Sequence, residues 1–262
     1  MSDCFDYGGE VAEVVSGFKN PTVAAGKDVR NARLYGLLRL GTFQETFKGE
    51  VKAAAPQALA IFHLLGKEDK MDDGNPMFFT KTFPLKKGEK SFLHKQFIPA
   101  MGGMAKHTGF SSMINQLHSL KLKGGKETNE DGTPKFVNYD SMSQLSDEML
   151  ELLDSSPAYA PLENPIGFLK EAELTKEALE LLHPTREFAG ILMKTQEFLA
   201  GTHPSQELIQ SMYEENKERY TAKKKDDKEE GGDEAAKSQS SSNGAQALPS
   251  TPEDLGNTEQ EF

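Results

Sequence analysis

Between residues 31 and 144, apolar and polar positions alternate in short runs broken by glycine and turn residues, a spacing that predicts β-strands. In 33–40 the two-residue period places Arg33, Tyr35 and Arg39 on one face and Leu34, Leu38 and Leu40 on the other, and Gly41 closes the run. Residues 43–52 read as a hairpin arm with a Lys48-Gly49 turn. The unbroken apolar run 58–65 predicts a buried strand. A charged stretch ending in Asp73-Gly74-Asn75-Pro76 predicts a turn, followed by an aromatic and β-branched strand over 77–83. Residues 90–104 have helical spacing, with Phe92, Leu93, Phe97 and Ile98 on one stripe. Alternation resumes over 117–126, with Lys121 and Lys123 opposite Leu120 and Leu122. Gly124-Gly125 and Asp131-Gly132 mark a loop before a last strand over 136–142. This order, curled strands with a helix before the last two, predicts a five-stranded β-barrel of the OB type.

After residue 145 the period becomes helical. Ser146 is placed to cap a helix carrying Leu145, Met149, Leu152 and Leu153, and Thr175 to cap one over 176–182. Pro184 suits the first turn of a helix running to Ala200, which Gly201 ends. Pro204 opens another, reaching about Lys224, with Leu208, Ile209, Met212 and Tyr213 as its stripe. Four segments are expected: an irregular arm over 1–30, the OB-like domain over 31–144, an α-helical annex over 145–225, and a disordered acidic tail over 226–262, too poor in apolar residues to offset the entropy of ordering.

Charge changes this picture more than composition does. The 262 residues hold 41 acids and 30 bases, a net charge of −11, which by itself argues against nucleic acid. Residues 19–126, however, carry 18 bases against 8 acids, whereas residues 226–262 carry 2 against 10. Local fields govern partners, and a distant acidic tail does not cancel a basic groove across a Debye length of about 8 Å.

Catalytic patterns are missing. Cys4 has no neighbour that marks it as a nucleophile, and the six His show no H-E-x-x-H spacing. Residues 123–128 lack the first glycine of a phosphate loop and read as a hairpin turn. Asp69, Asp72 and Asp73 lack the register of a calcium loop. The expectation is a non-enzyme with no cofactor and no metal. With no signal peptide and no membrane-length apolar run, a cytoplasmic location is expected.

Single-stranded nucleic acid asks for cations along phosphates and flat side chains under bases, each stack contributing about 1–3 kcal/mol. Alternation offers both: Arg33, Tyr35 and Arg39 on one strand, Phe47 and Lys48 at the hairpin, Phe79, Lys81 and Phe83 on another strand, and Lys121 and Lys123 on a later one. Lys81 between two Phe argues that this face is exposed, because a buried ammonium is costly; the competing reading keeps Phe79 and Phe83 in the core with Lys81 snorkelling to the rim. The tail ends in Glu259, Glu261 and Phe262, an aromatic anchor among acids, suited to recruiting partners and to competing weakly for the basic groove.

The runs LYGLLRLGTFQETFKGE, ALAIFHLLG, PMFFTKTFPL, EKSFLHKQF, LHSLKLKGGKE and PKFVNY, closed by EDLGNTEQEF, together resemble bacteriophage single-stranded DNA-binding proteins of the OB-fold type. The resemblance covers roughly residues 31–144 and the final ten. It implies base-independent binding of single-stranded DNA in replication and recombination, in the host cytoplasm, with tail contacts to a polymerase, helicase or primase. It further implies Tyr35, Phe47, Phe79 and Phe83 as stackers and Phe262 as the partner anchor. The long helical annex departs from that family, leaving open an oligomerisation element or a lid over the groove. Two other readings stand beside it: a non-enzymatic assembly or scaffolding factor acting through the annex as a homo-oligomer, and a nuclease using the Asp69, Asp72 and Asp73 carboxylates.

Overall fold

The computed structural model describes residues 21, 23, 27–44, 46–47, 49–130, 132–134, 136–180 and 188–215, apart from the side chains of Lys27, Phe47 and Phe188. The whole of the expected tail, with Glu259, Glu261 and Phe262, and most of the expected arm lie outside the described residues, as do Cys4 and Lys48.

The first element is a 17-residue strand, β1 (Lys27–Phe43). It starts well before position 33 and crosses the expected boundary at residue 31. A two-strand arm follows, β2 (Thr46–Phe47) and β3 (Glu50–Val51), then β4 (Ala55–Leu64) and β5 (Phe78–Pro84). The next helical segment is shorter than 90–104: a π-helical turn, Leu93–Phe97, runs into α1 (Ile98–Ala100). Gly102 and Gly103, at φ 102° and 83°, lie just beyond it. Strands β6 (Leu117–Gly124) and β7 (Val137–Ser143) complete the β-rich part.

These strands form an open, mostly antiparallel sheet of order β5-β4-β1-β6-β7. A sixth strand that the hydropathy pattern does not predict, β8 (Gly167–Leu169), pairs in parallel with β1 over Gly36–Leu38. No backbone pairing joins the edge strands β5 and β7 among the described residues.

The sheet is buried on both faces where β1 and β4 run together. Register pairs Leu37 with Ala60 and Leu34 with Phe62. These belong to the first core, with Leu64, Phe83, Phe97, Leu120 and Leu122. The intervening Leu38 and Leu59, a register pair, and Ile61 turn to the other face. That double burial explains the unbroken apolar run of β4.

The annex supplies the second core. Its elements are α2 (Asp147–Asp154), α3 (Lys176–Glu180), α4 (Phe188–Leu192), α5 (Gln196–Leu199) and a helix over 206–215. Leu174, Ala178, Leu179, Leu192, Ile209 and Met212 pack on Leu38, Leu40, Leu59 and Ile61. Ser146 and Thr175 cap their helices as the sequence predicts, accepting from the backbone N–H of Met149 and of Ala178 at 3.3 and 3.2 Å. The single helix expected up to Ala200 is instead interrupted after Leu192. Thr195 caps a new turn by accepting from the Phe198 N–H, and its own hydroxyl donates to the Leu192 carbonyl.

Two bulges in β1, at Leu34/Gly36 and Arg39/Gly41, break its alternation. At the second, Gly41 has φ +109°, and a Cβ there would lie 3.0 Å from a Glu197 carboxylate oxygen and 3.1 Å from Thr195. The same carboxylate accepts the Thr42 N–H at 2.8 Å. Burial pushes Glu197 upward, but the hydrogen bonds from Thr42 outweigh it and hold the carboxyl below its ordinary range.

Gly41→Ala is expected to lower unfolding stability by about 2 kcal/mol or more, from strained backbone and the Glu197 contact together, as read by urea denaturation. His118 yields a second test. It is fully buried against the Phe62 ring, its Nε2 has no partner, and burial lowers it to about 4 from 6.5. The unfolded chain takes up this proton near 6.5 and the folded protein only near 4, so stability falls as pH drops through that window and flattens below it. The loss amounts to about 3 kcal/mol. In His118→Leu, stability measured between pH 7 and pH 4 should fall less steeply by that amount.

Candidate nucleic-acid interface

The residues predicted to share one exposed face are held apart. Arg33 is buried, 6% exposed. Its Nε donates to the Tyr159 carbonyl at 2.8 Å, one terminal nitrogen to the Asn115 carbonyl at 2.7 Å, and the other to Asp154 at 2.6 Å. Every edge of the guanidinium is spent on annex and loop acceptors, which corrects its expected role in contacting phosphate. Arg33 precedes the bulge at Leu34/Gly36, and what takes it from solvent is the annex and loop that supply these acceptors.

Tyr35 lies in the second core rather than on an open face. Its ring meets Phe78 with centroids 4.7 Å apart, and its hydroxyl donates to the Asn164 carbonyl at 2.9 Å. Burial pushes its phenol upward. Arg39 pairs with Glu171 at 3.1 Å, again an annex carboxylate. The annex therefore occupies the surface on which the Arg33, Tyr35 and Arg39 set was to bind.

On β5, Phe83 is 2% exposed and packs against Phe92 and Phe97 at 4.9 and 5.1 Å, so it is core and not a stacking platform. Phe79 is half-buried against the same core, opposite Phe62 in register. Lys81, between them, snorkels. Its ammonium lies 5.2 Å from the centre of the Phe92 ring and 4.7 Å from that of Tyr139. The alternative reading of this strand, core phenylalanines with a lysine reaching the rim, is the one the coordinates fit.

The alternation of β6 survives intact: Leu120 and Leu122 are fully buried, Lys121 is half-buried and Lys123 exposed. Lys123 reaches Asp140 at 3.6 Å. Residues 123–128 belong to the β6–β7 hairpin, joined by the Gly125 N–H to Phe136 carbonyl bond and a Thr128–Pro134 bridge. The Phe47 side chain and Lys48 are outside the described residues, although β2 and β3 place the arm that carries them.

The acidic trio does not converge. Asp69 is 2% exposed, held by Arg30 at 2.9 Å and by the Gly66 N–H at 2.9 Å, while Asp73 accepts from Asn75. Among the described residues, no three such side chains gather around a common point.

A set of cations that the sequence reads as a solvated face rather than a binding row is prominent instead. Lys86, Lys87 and Lys90 lie on the connection from β5 into the helical segment and Lys95 within the π-helical turn, all exposed and without ion-pair partners among the described residues. Sequence reasoning treats such a row as a solvated face; it becomes a candidate once the β1 cations are seen to be consumed.

Arg33→Ala should lower stability by about 3 kcal/mol, since it leaves the Tyr159 and Asn115 carbonyls without their donor and a void where the buried side chain packed. Asp154→Ala takes the counter-charge from a buried guanidinium that keeps its two carbonyl acceptors, and should cost less, about 2 kcal/mol. Chemical denaturation of the two variants checks this, and an Arg33→Ala protein of unchanged stability would contradict the clamp. No known protein family, no curated protein and no solved structure matches this chain.

Proposed function

We propose that this protein binds single-stranded nucleic acid without base preference, through an OB-like sheet whose accessible cations lie on its edges and connections. The order β5-β4-β1-β6-β7, with a helical segment between β5 and β6, supports the OB-like reading. It is the strand order of a five-stranded barrel opened between its third and fifth strands. The observation that carries the functional reading is the row Lys86, Lys87, Lys90 and Lys95, exposed cations without an ion-pair partner among the described residues, with Glu89 close by in sequence. Polyphosphate chains are drawn to such rows by counter-ion release, which needs no base contact.

Replication-type single-strand binding, in phage DNA replication or recombination, is the biological setting this reading favours. The acidic segment 226–262 would then serve as a recruiting tail for replication proteins. Three annex acids are already committed: Asp154 to Arg33 and Glu171 to Arg39 on β1, and Asp147 to Lys106, beyond α1, at 3.9 Å. Groove residues on β1 are therefore replaced in this proposal by the lysine row, with the β2–β3 arm beside the start of β4.

The test is anisotropy of fluorescein-labelled dT30 at 50 and 200 mM salt. Wild-type protein should bind with a log–log salt slope of about −0.7 per phosphate contacted. Replacing Lys86, Lys87 and Lys90 with Ser should weaken binding and make the slope shallower by about 2. Absence of wild-type binding would favour the assembly-factor reading instead.

A further inference from the structure

The two edge strands of the sheet meet through side chains alone. Lys81 comes from β5, Tyr139 from β7 and Phe92 from the connection between β5 and the helical segment. The rings of Phe92 and Tyr139 stand edge to face, with centroids 5.4 Å apart. The Tyr139 hydroxyl donates to the Gln96 side-chain carbonyl, which ties β7 to the π-helical turn. Burial, with Asp140 adding to it, raises the Tyr139 phenol, so it stays a neutral donor. Lys81 is half-buried above both rings and has no carboxylate partner among the described residues. Burial lowers its amine.

A cation in this position is incompletely compensated. Two π faces return part of the hydration it loses. Full compensation needs an anion. The setting provides an approach for one: Lys90 and Lys95 flank Phe92 in sequence, and both are exposed. The backbone edges of β5 and β7 are unpaired with each other.

Building on the single-strand reading above, we propose that the seam between β5 and β7 is a phosphodiester subsite, in which Lys81 takes one backbone phosphate of the bound strand. Phe92 and Tyr139 hold the ammonium in place, and the lysine row carries the strand to and from the seam. A phosphate here would supply the counter-charge that the described residues do not, and it would do so without reading a base.

The experiment compares wild-type protein with Lys81→Met and Lys81→Arg, measuring dT30 affinity across a salt series alongside thermal unfolding. Lys81→Met keeps the stem and removes the charge. It should bind roughly tenfold more weakly at low salt, with a slope shallower by about 0.7. Its melting temperature should be unchanged or higher, because an uncompensated buried ammonium is gone. Lys81→Arg should retain most of the affinity. If wild-type protein binds and Lys81→Met binds equally well with the same slope, the seam assignment fails while the single-strand reading stands. If Lys81→Met loses melting temperature together with affinity, Lys81 is a structural member of the aromatic stack and the assignment fails. If wild-type protein does not bind dT30, both fall.

Discussion

Strand β1 has to serve two cores at once, and the arrangement of the molecule follows from how it does so. Over its first half it pairs with β6 on one side; over its second half that side is taken by the three residues of β8, while β4 pairs along the other from Ala32 to Phe43. A regular strand would send every second residue to the same face. Here the two bulges reset the alternation, so Leu34 and Leu37 enter the first core while Leu38 and Leu40 enter the second. Gly41 and Glu197 hold the second reset in place: the glycine takes a backbone conformation other residues avoid, and the carboxylate satisfies the N–H of Thr42.

The bulges also explain what could and could not be seen in the sequence. Along β6 the strand keeps its period, and the reading of Leu120 and Leu122 as core with Lys121 and Lys123 opposite matches the coordinates. Along β1 the same reasoning groups Arg33, Tyr35 and Arg39, because a bulge leaves no mark that a two-residue period can register. The burial of Arg33 depends on acceptors 82, 121 and 126 residues away in the chain, a tertiary fact that no local pattern carries. Helix caps at Ser146 and Thr175 were legible because capping is local chemistry. The break at Thr195 was hidden, since the apolar spacing of Ile191, Leu192, Phe198 and Leu199 continues through it. Strand β8 was invisible for a related reason: three residues have no period, and only their partner on β1 makes them a strand.

The candidate site was legible in its chemistry and not in its location. Basic and aromatic residues are interleaved in the β-rich part, as the charge map indicates, yet the arginines are the ones turned inward. Arginine suits that duty, since its planar fork can satisfy three acceptors at once, as Arg33 does. Lysine offers a point charge on a flexible stem and is less suited to such a clamp. The division of labour follows: Arg33 and Arg39 on β1 fasten acids of the annex, while the lysines on the connection after β5 have no ion-pair partner among the described residues.

That division limits where a ligand can go. One face of the sheet is filled by the first core. On the other, the stretch over β1 and β4 is covered by annex side chains from Leu174 to Met212. A polyanion approaching this molecule meets an acidic cover there, because Asp154 and Glu171 stand where phosphates would have stood. Exposed lysines stand instead on the connection after β5, and the half-buried Lys81 stands on the edge strand β5. Edges are narrow, and a flexible single strand can follow a narrow border that a rigid duplex cannot wrap. The same geometry removes the broad aromatic platform expected from alternation, so the proposed binding rests on phosphate contacts rather than on stacked bases.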